Sequence, residues 1–510
     1  MRSTNSEGGP NPAEVVLSYS PSDGIAVFSM AESLKAIFRF YTPAGKDSLC
    51  WVYQAHKGIW VPRGRELIEE IVTRSMSEFF RSRIVSEVVK KIRNDTRDES
   101  VTLGRMTSSR IVMANGVFDM GANKFSPEFN PDDYQLVALS YEYDAKADCP
   151  RFKRFLDEVC PNGDDQMALV EFMGYCLMHH HRYHTFIVLV GSGENGKSKL
   201  LGVLKAMLGI KNVTGISLQH LAHDRFMAAR LTDKLANICP DIPDQPIKYT
   251  GIIKALTGED LITVQHKHRD SFELENHAKL LFSANQIPAV GDTTDAWFRR
   301  VRIIEFPNQF KVGNKKRDPD IGKKLAAELQ GIFNLAVEGW QRMERQGGLT
   351  GAKSTEENRQ DYLKRSNPMQ YFIHRFCRPD PEAKATVAAV YDCYRRVSIS
   401  LGKVPITKSW FSIRMLEMLD YVEARQTKID GKNTRIYAGM NIDLDSLAKE
   451  MVTTNTPSVS YKENVGEIIM IFDNGVFAGT DPDQEILDDS AERREKERVA
   501  ALEAKSGKGG

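Results

Sequence analysis

Residues 185–190, TFIVLV, are an apolar, β-rich run that leads directly into Gly191-Ser-Gly-Glu-Asn-Gly-Lys-Ser198, and KLLGVLKAMLG follows with helical spacing. This strand, loop and helix constrain the fold more than any other feature of the chain. The loop fits G-x-x-x-x-G-K-[ST], and each part of that pattern has a chemical reason. Small residues let consecutive backbone N–H groups turn inward on a phosphate, at a helix N-terminus that already favours anions. Gly191, Ser192, Gly193, Glu194, Asn195 and Gly196 are expected to form the cradle. Lys197 would reach the β- and γ-phosphates, and the Ser198 hydroxyl would ligate Mg²⁺. ATP and Mg²⁺ are therefore the expected ligands.

Three further strand candidates follow: KLANIC at 234–239, AKLLFSA at 278–284 and RIIEF at 302–306. Strands separated by helical stretches imply a mostly parallel α/β sheet. Hydrolysis needs a carboxylate on the metal and a polar group to hold the attacking water. Asp241 stands at the end of the second strand, where it is read as the metal carboxylate. Asn285 ends the third, placed to hold the water and sense the γ-phosphate. Each could instead be a turn residue closing its strand, and it is the phosphate loop upstream that favours the catalytic reading.

The chain has 510 residues, enough for about three domains at the usual ~100–200 residues each. Residues 1–13 are expected to be disordered and 14–149 to form a mixed α+β domain. The ATPase core is assigned to 150–345, a linker to 346–365, a winged-helix-like domain to 366–480 and a charged tail to 481–510. In the first domain the patterns give a helix at 31–40, a hairpin at 50–53 and 58–61, and a helix at 66–92. Two short strands follow around Asn115-Gly116 and Gly121. The core opens with helical residues 149–179 and closes with a helix at 322–343. The winged helix is read from three helical patterns followed by a hairpin around Asp430-Gly431.

Lys+Arg total 69 and Asp+Glu 68, so no global field draws the chain to nucleic acid and any such contact must be a local patch. The seven cysteines include no C-x-x-C pair, which argues against a zinc ribbon or redox dithiol and fits a reducing cytosol. There is no apolar run of about 18 residues to span a membrane and no apolar segment near the start to act as a secretory signal. The expected location is the cytoplasm.

Gln265-His-Lys-His-Arg269 lies between two strand candidates. Lys267, His268 and Arg269 could grip phosphates without regard to sequence, or form a solvated charged turn. Arg299, Arg300 and Arg302, then Lys311, Lys315, Lys316 and Arg317, make a basic run of which Arg302 lies on a strand. In the winged-helix region Lys408, Arg414, Arg425, Lys428, Lys432 and Arg435 would face phosphates, although such a module can equally contact protein. His179, His180, His181 and His184 have no carboxylate or thiolate at ligand spacing, so they are not read as a metal site.

Taken together, GSGENGKS, KLANICPDIP, KALTGEDLITVQHKHRDSFE, KLLFSANQIP and FRRVRIIEFP closely resemble the phage and plasmid primase-helicase family. Its ATPase belongs to the superfamily 3 helicases, the poxvirus-type primase-helicase among them. The resemblance is dense from about residue 150 to 340 and thinner over 49–143. It implies an AAA+-like ATPase in a hexameric ring that tracks one strand of forked DNA 3′ to 5′. It also implies that Arg299 or Arg300 is an arginine finger for a neighbouring subunit and that residues 254–272 carry a DNA-tracking hairpin. Relatives often have two adjacent acids at the second motif, whereas Asp241 stands between Pro240 and Ile242, leaving Asp241 or Asp244 as general base. No pair of acids suited to two-metal polymerase chemistry precedes the core. The expected protein is a replication helicase of a phage, plasmid or integrated element in a prokaryotic host, without a primase of its own and working with single-stranded and forked DNA. A separate primase or polymerase is an expected partner. The rival readings are an origin-melting initiator and a non-helicase P-loop DNA motor.

Overall fold

The computed structural model describes residues 11–18, 23–43, 49–98, 109–267, 270–292, 294–311, 313, 317–429, 432–453, 462–464 and 467–469. Two compact units divide the chain, Met1–Asn367 and Pro368–Gly510. His268, Arg269, Lys315, Lys316, residues 1–10, the turn at 430–431 and the tail at 481–510 lie outside the described residues. Of the stretch 1–13 expected to be disordered, Pro12 and Ala13 lie in a 3₁₀ turn, Pro12–Glu14, capped by Asn11.

The first unit opens with α1 (Asp23–Ile37), β1 (Phe40–Pro43), β2 (Trp51–Gln54), β3 (Ile59–Val61), α2 (Gly64–Met76), α3 (Ser82–Asp95) and β4 (Arg97–Asp98). The strands make a sheet in the order β3-β2-β1-β4. Met30 and Leu34 of α1, Ile68, Ile71 and Val72 of α2, and Val88 and Ile92 of α3 form its core, with Val52 from the sheet. One helix was expected over 66–92, but the chain breaks at Ser77, which adopts a left-handed φ of 46°. The apolar spacing persists across the break because both helices bury a face in the same core.

The next segment, β5 (Arg110–Met113), β6 (Gly116–Asp119) and β7 (Lys124–Ser126), is a three-stranded meander where two strands were expected. Ile111, Met113, Phe118 and Met120 belong to the hydrophobic core of the phosphate-loop region, not to that of α1–α3.

That region runs α4 (Pro150–Val159), α5 (Gly163–Tyr175), β8 (Phe186–Val190), α6 (Lys197–Leu208), β9 (Val213–Thr214), α7 (Leu218–His223), α8 (Arg225–Ala228), β10 (Ala236–Cys239) and α9 (Gly251–Leu256). It continues through β11 (Leu261–Gln265), β12 (Ser271–Glu275), β13 (Lys279–Ala284), α10 (Asp295–Phe298), β14 (Val301–Glu305), α11 (Ile321–Ala326), α12 (Leu329–Gln346) and α13 (Thr355–Ser366). Five strands pair in the order β14-β8-β13-β10-β9, all parallel. Helices cover the sheet, so β8, β10 and β13 are buried along their whole length and are mostly apolar, with Asn237, Lys279 and Ser283 the exceptions.

The helix expected at 322–343 is two, α11 and α12, and α12 stops where Gly347 takes a left-handed φ of 76°. Residues 355–365 of the stretch 346–365, read from sequence as linker, form α13 together with Ser366. A Ser354–Glu357 capping box starts this helix. Tyr362 is buried against Trp297 and Phe298 and donates to the Pro288 carbonyl at 2.8 Å. Only Tyr362 and Leu363 are buried in this helix, too sparse a pattern to announce it.

The second unit comprises α14 (Pro368–Phe376), β15 (Cys377–Thr386), α15 (Val387–Ser400), α16 (Lys408–Met418), β16 (Glu423–Ile429), β17 (Lys432–Ile442) and α17 (Leu444–Thr453). Three helices and a hairpin were expected. The structure adds β15, which pairs with β17 to give an antiparallel sheet in the order β15-β17-β16. Its sequence, CRPDPEAKAT, carries two prolines and has no alternation, and Pro379 sits where the register shifts.

Candidate active site

Strand order sets the geometry of the site. β13 lies between β8 and β10, pairing Ala284 with Val190 on one side and Phe282 with Cys239 on the other. The residues after these three strands must therefore line up across one edge, with Asn285 between the phosphate loop and Asp241. The side chains meet there. Lys197 Nζ lies 3.5 Å from Asn285 Oδ1, and Asn285 Nδ2 lies 3.4 Å from Asp241 Oδ1. Asp241 has a left-handed φ of 55°, a conformation that Asp tolerates better than most residues, and Ile242 N bonds the Ser283 carbonyl at 2.8 Å to hold the turn.

The loop is built on glycine where the backbone demands it. Gly193 and Gly196 have φ of 101° and 88°. A Cβ on Gly191 would stand 1.9 Å from Asn195 Nδ2 and 2.6 Å from the Phe306 carbonyl. Asn195 is buried and donates to that carbonyl at 3.2 Å. The segment after β14 straps the loop from outside. Phe310 N bonds the Glu194 carbonyl at 2.7 Å, and Gln309 Nε2 bonds Ser192 Oγ at 2.6 Å. Asn308 Nδ2 bonds the Glu158 carbonyl at 2.9 Å, tying the strap to α4.

Lys197 is 5% exposed and donates to the Gly191 carbonyl at 2.6 Å and to Asn195 Oδ1 at 3.0 Å. Burial pulls its pKa down, and the nearby Asp241 carboxylate partly offsets this. Ser198 is exposed. A cavity of about 520 Å³ opens here. Gly193, Glu194, Asn195, Gly196, Lys197, Ser198, Asp241 and Asn285 line it, and Phe155, Val159, Phe310 and Ile321 add an apolar wall, with Phe155 and Val159 against Gly196. Arg151 and Arg317 also reach it. Asp244 does not. Sequence reasoning passed over the apolar wall. Phe155 and Val159, four apart on α4, carried the signal, but that spacing marks ordinary core as often as a ligand wall.

The two adjacent arginines differ sharply. Arg300 is 6% exposed, and its guanidinium donates to the Ala296 carbonyl at 2.7 Å. Burial lowers its pKa, with the neighbouring Arg299 adding to the effect. Arg299 is exposed, and neither arginine lines the cavity of its own chain. Arg302 is paired with Asp165 at 2.7 Å inside the fold. Lys267 stands exposed near the tip of the β11–β12 hairpin, where His266 stacks on Phe272.

The histidines gather at the opposite end of the sheet. His181 Nε2 lies 3.1 Å from Asn276 Nδ2, and the rings of His179 and His277 are 5.0 Å apart. Among the described residues no group of three or more His, Cys, Asp or Glu side chains could hold a metal ion. Nor is any helix among them long and apolar enough to cross a membrane.

Residues 36–161 match the family described as "D5 N terminal like", and residues 189–300 match DUF5906, a family of unknown function. The second stretch takes in the phosphate loop, Asp241, the hairpin, Asn285 and both arginines. The chain is 27% identical over 325 residues to "Putative helicase L207/L206" of Acanthamoeba polyphaga mimivirus, covering 58% of this chain and 33% of that protein. It is 25% identical over 243 residues to the like-named 184R of Invertebrate iridescent virus 6, covering 43% of this chain and 23% of that protein. The matched region therefore spans a third or less of the length of these curated relatives. Among solved structures, the apo C-terminal region of NrS-1 aligns at 11% identity with a TM-score of 0.46, over 81% of this chain and 99% of that one. The two family matches, one over the first domain and one over the stretch that carries the motifs, together with the viral relatives support the resemblance to the phage and viral primase-helicase family.

Proposed function

We propose that the protein is an ATP-dependent DNA helicase of the superfamily 3 type, acting in replication as a hexameric ring. The observation that carries this reading is the convergence of Lys197, Asn285 and Asp241 at the ends of three adjacent parallel strands, on a cavity walled by the phosphate loop. The apolar lining of the cavity suits a nucleotide base, and the loop suits its phosphates. Ser198 and Asp241 offer a hydroxyl and a carboxylate, the oxygen donors that Mg²⁺ takes. The ion would neutralise charge on the phosphates. Asn285 holds the attacking water, and Asp241, which faces the cavity, is preferred to Asp244 as general base.

Arg299, exposed and outside its own cavity, is the better candidate for a finger entering a neighbour's site, with Arg300 as its buried brace. Lys267, with His268 and Arg269 beside it in sequence, contacts single-stranded DNA in the ring channel. Within this reading the core at 150–345 is AAA+-like, residues 366–480 form a winged-helix-like domain, and primase activity comes from a separate partner.

Lys197→Ala should abolish ATPase and the unwinding of forked DNA while keeping the wild-type circular dichroism spectrum. Asp241→Asn should keep nucleotide binding and lose Mg²⁺-dependent turnover. Wild-type hydrolysis by Lys197→Ala would overturn the site. ATP-dependent melting by the wild type without strand displacement would favour an initiator instead.

A further inference from the structure

Two arms of chain leave the candidate active site, one from Asp241 to the start of α9 and one from Asn285 to the start of α10. They do not run apart. Ile247 and Val290 form a parallel bridge, in which Ile247 N bonds the Ala289 carbonyl at 2.8 Å and Gly291 N bonds the Ile247 carbonyl at 3.0 Å. Asp292 stands just past this bridge, and its carboxylate accepts bonds from both directions. Oδ2 takes the hydroxyl of Thr250, the residue before α9, and Lys254 Nζ of α9 at 2.8 Å. Oδ1 takes Thr294 N at 2.8 Å and Thr294 Oγ1 at 2.6 Å, at the start of α10. Burial alone would raise the pKa of this carboxyl, yet the bonds from Lys254, Thr250 and Thr294 hold it far below its ordinary value. The group is ionised, and its bond to Lys254 is charge-assisted.

Helix α9 in turn carries the β11–β12 hairpin. It is seated in the fold by the buried Ile253 and Leu256, and β11 begins five residues after it ends. Asn276, the residue after β12, is buried and donates to the Leu256 carbonyl at 2.6 Å. The end of α9 is thus tied to the far foot of the hairpin as well as leading into the near one.

We propose that Asp292 is a positioning residue that locks the two arms to α9, so that nucleotide bound against Asp241 and Asn285 sets the position of the β11–β12 hairpin. The proposal rests on the nucleotide reading of the cavity. A ligand drawn to Asp241 and Asn285 acts on the first residue of both arms at once, and the bridge and the carboxylate pass that displacement to α9 through contiguous bonds. Asp292 does not line the cavity, so its part is to transmit and not to bind.

The test is hydrogen exchange of the full chain, read by mass spectrometry with and without Mg²⁺ and a non-hydrolysable ATP analogue, in the absence of DNA. In the wild type the analogue should slow exchange in the phosphate loop and change it in β11 and β12. In Asp292→Ala the loop should respond as before and the hairpin should lose its response. Thr250→Val/Lys254→Ala, which releases α9 but keeps the Thr294 bonds, should show the same split and decides the matter if Asp292→Ala does not fold. Lys254→Arg, which keeps a charged donor for Asp292, should retain the response of the hairpin. A mere brace would give faster hairpin exchange in the variants with and without the analogue alike, leaving the nucleotide-dependent difference intact, and that result would overturn the proposal. So would a wild-type hairpin that ignores the analogue while the loop responds. A wild-type loop that does not respond would overturn the nucleotide reading, and this proposal with it.

Discussion

The two edges of the five-stranded sheet use the same kinds of residue for opposite ends. At the carboxyl edge Lys197, Asn285 and Asp241 face a cavity and one another. At the amino edge Lys279, Arg300 and Thr185 spend their polar groups on the backbone. Lys279, the first residue of β13, donates to the Met178 and His277 carbonyls at 2.7 and 2.6 Å and lies 4.5 Å from the centre of the Tyr175 ring. Arg300 holds Ala296, and Thr185 Oγ1 donates to the Arg300 carbonyl at 3.2 Å. Burial lowers the pKa of both lysines, that of Lys279 to about 7. The difference lies in what the cation faces. An ammonium closed in by carbonyls and a ring braces the fold, whereas one opening on a cavity beside a carboxylate is available to a ligand.

The comparison is tested hardest at the arginine pair. Arg299 stands just before β14, at the amino edge, and five residues of strand separate it from the carboxyl edge, about 16 Å. On the proposed ring, a finger in that position would serve another subunit's site. Arg299→Ala should therefore bind ATP normally and hydrolyse it about 10³-fold more slowly. Mixed with Lys197→Ala subunits under proven exchange, it should regain part of the activity. Arg300→Ala should instead lose about 1–3 kcal/mol of stability, measured by urea unfolding, with turnover per folded molecule largely kept. The opposite pattern, slow turnover in Arg300→Ala and none of it in Arg299→Ala, would break the division between the edges.

The carboxyl edge was legible because its residues recur at strand ends behind a loop whose spacing suits little besides a phosphate. Lys197, Asp241 and Asn285 each follow from that pattern, and β8, β10, β13 and β14 lie where apolar runs predict strands. The amino edge was not legible. Lys279 reads as an ordinary charged residue at the start of a strand, and nothing in its neighbours announces the two carbonyls and the ring that enclose it. His179, His181 and His277 gather around this edge only once β13 is laid beside β8. Arg299 and Arg300 were inseparable for the same reason, since adjacent residues share every sequence feature except the direction in which the fold turns them. β15 and α13 are silent in the sequence because each buries too few apolar side chains to set a period.

Lys279→Ala sharpens the contrast with Lys197→Ala. It leaves the buried Met178 carbonyl and the half-buried His277 carbonyl without their donor and a void beside Tyr175, which should cost about 2–4 kcal/mol in urea unfolding. Nucleotide affinity measured by calorimetry on the folded variant should stay at the wild-type value. Lys197→Ala should shift unfolding by less than about 1 kcal/mol, because its side chain borders a cavity from which water can reach the Gly191 carbonyl and Asn195 Oδ1 that it leaves. Equal destabilisation by the two changes would mean that the phosphate-loop lysine is as much a brace as Lys279.

The smallest expected effect is a slope against pH, and its sign follows from burial at the amino edge. Lys279 titrates near 7 in the folded chain against 10.5 for an ordinary lysine, and His277 near 4 against 6.5. Burial is the main cause in both, and it also holds His179 and His181 well below their ordinary value. Each folded-state pKa is depressed, so the unfolded chain binds more protons than the folded one between the paired values. Stability is therefore full above the unfolded pKa and is lost as pH falls towards the folded one. Lys279 contributes this loss between 10.5 and about 7, and His277 between 6.5 and about 4. Each group supplies at most about 1.4 kcal/mol per pH unit inside its window. Urea unfolding at pH 8, 7, 6 and 5 should give a free energy that declines steadily on acidification. His277→Gln should flatten the lower part of that decline and leave the part above pH 7 intact. A free energy that rises on acidification across this range would mean that these groups gain partners for their charge on folding, and the amino edge would then no longer be a brace whose burial opposes protonation.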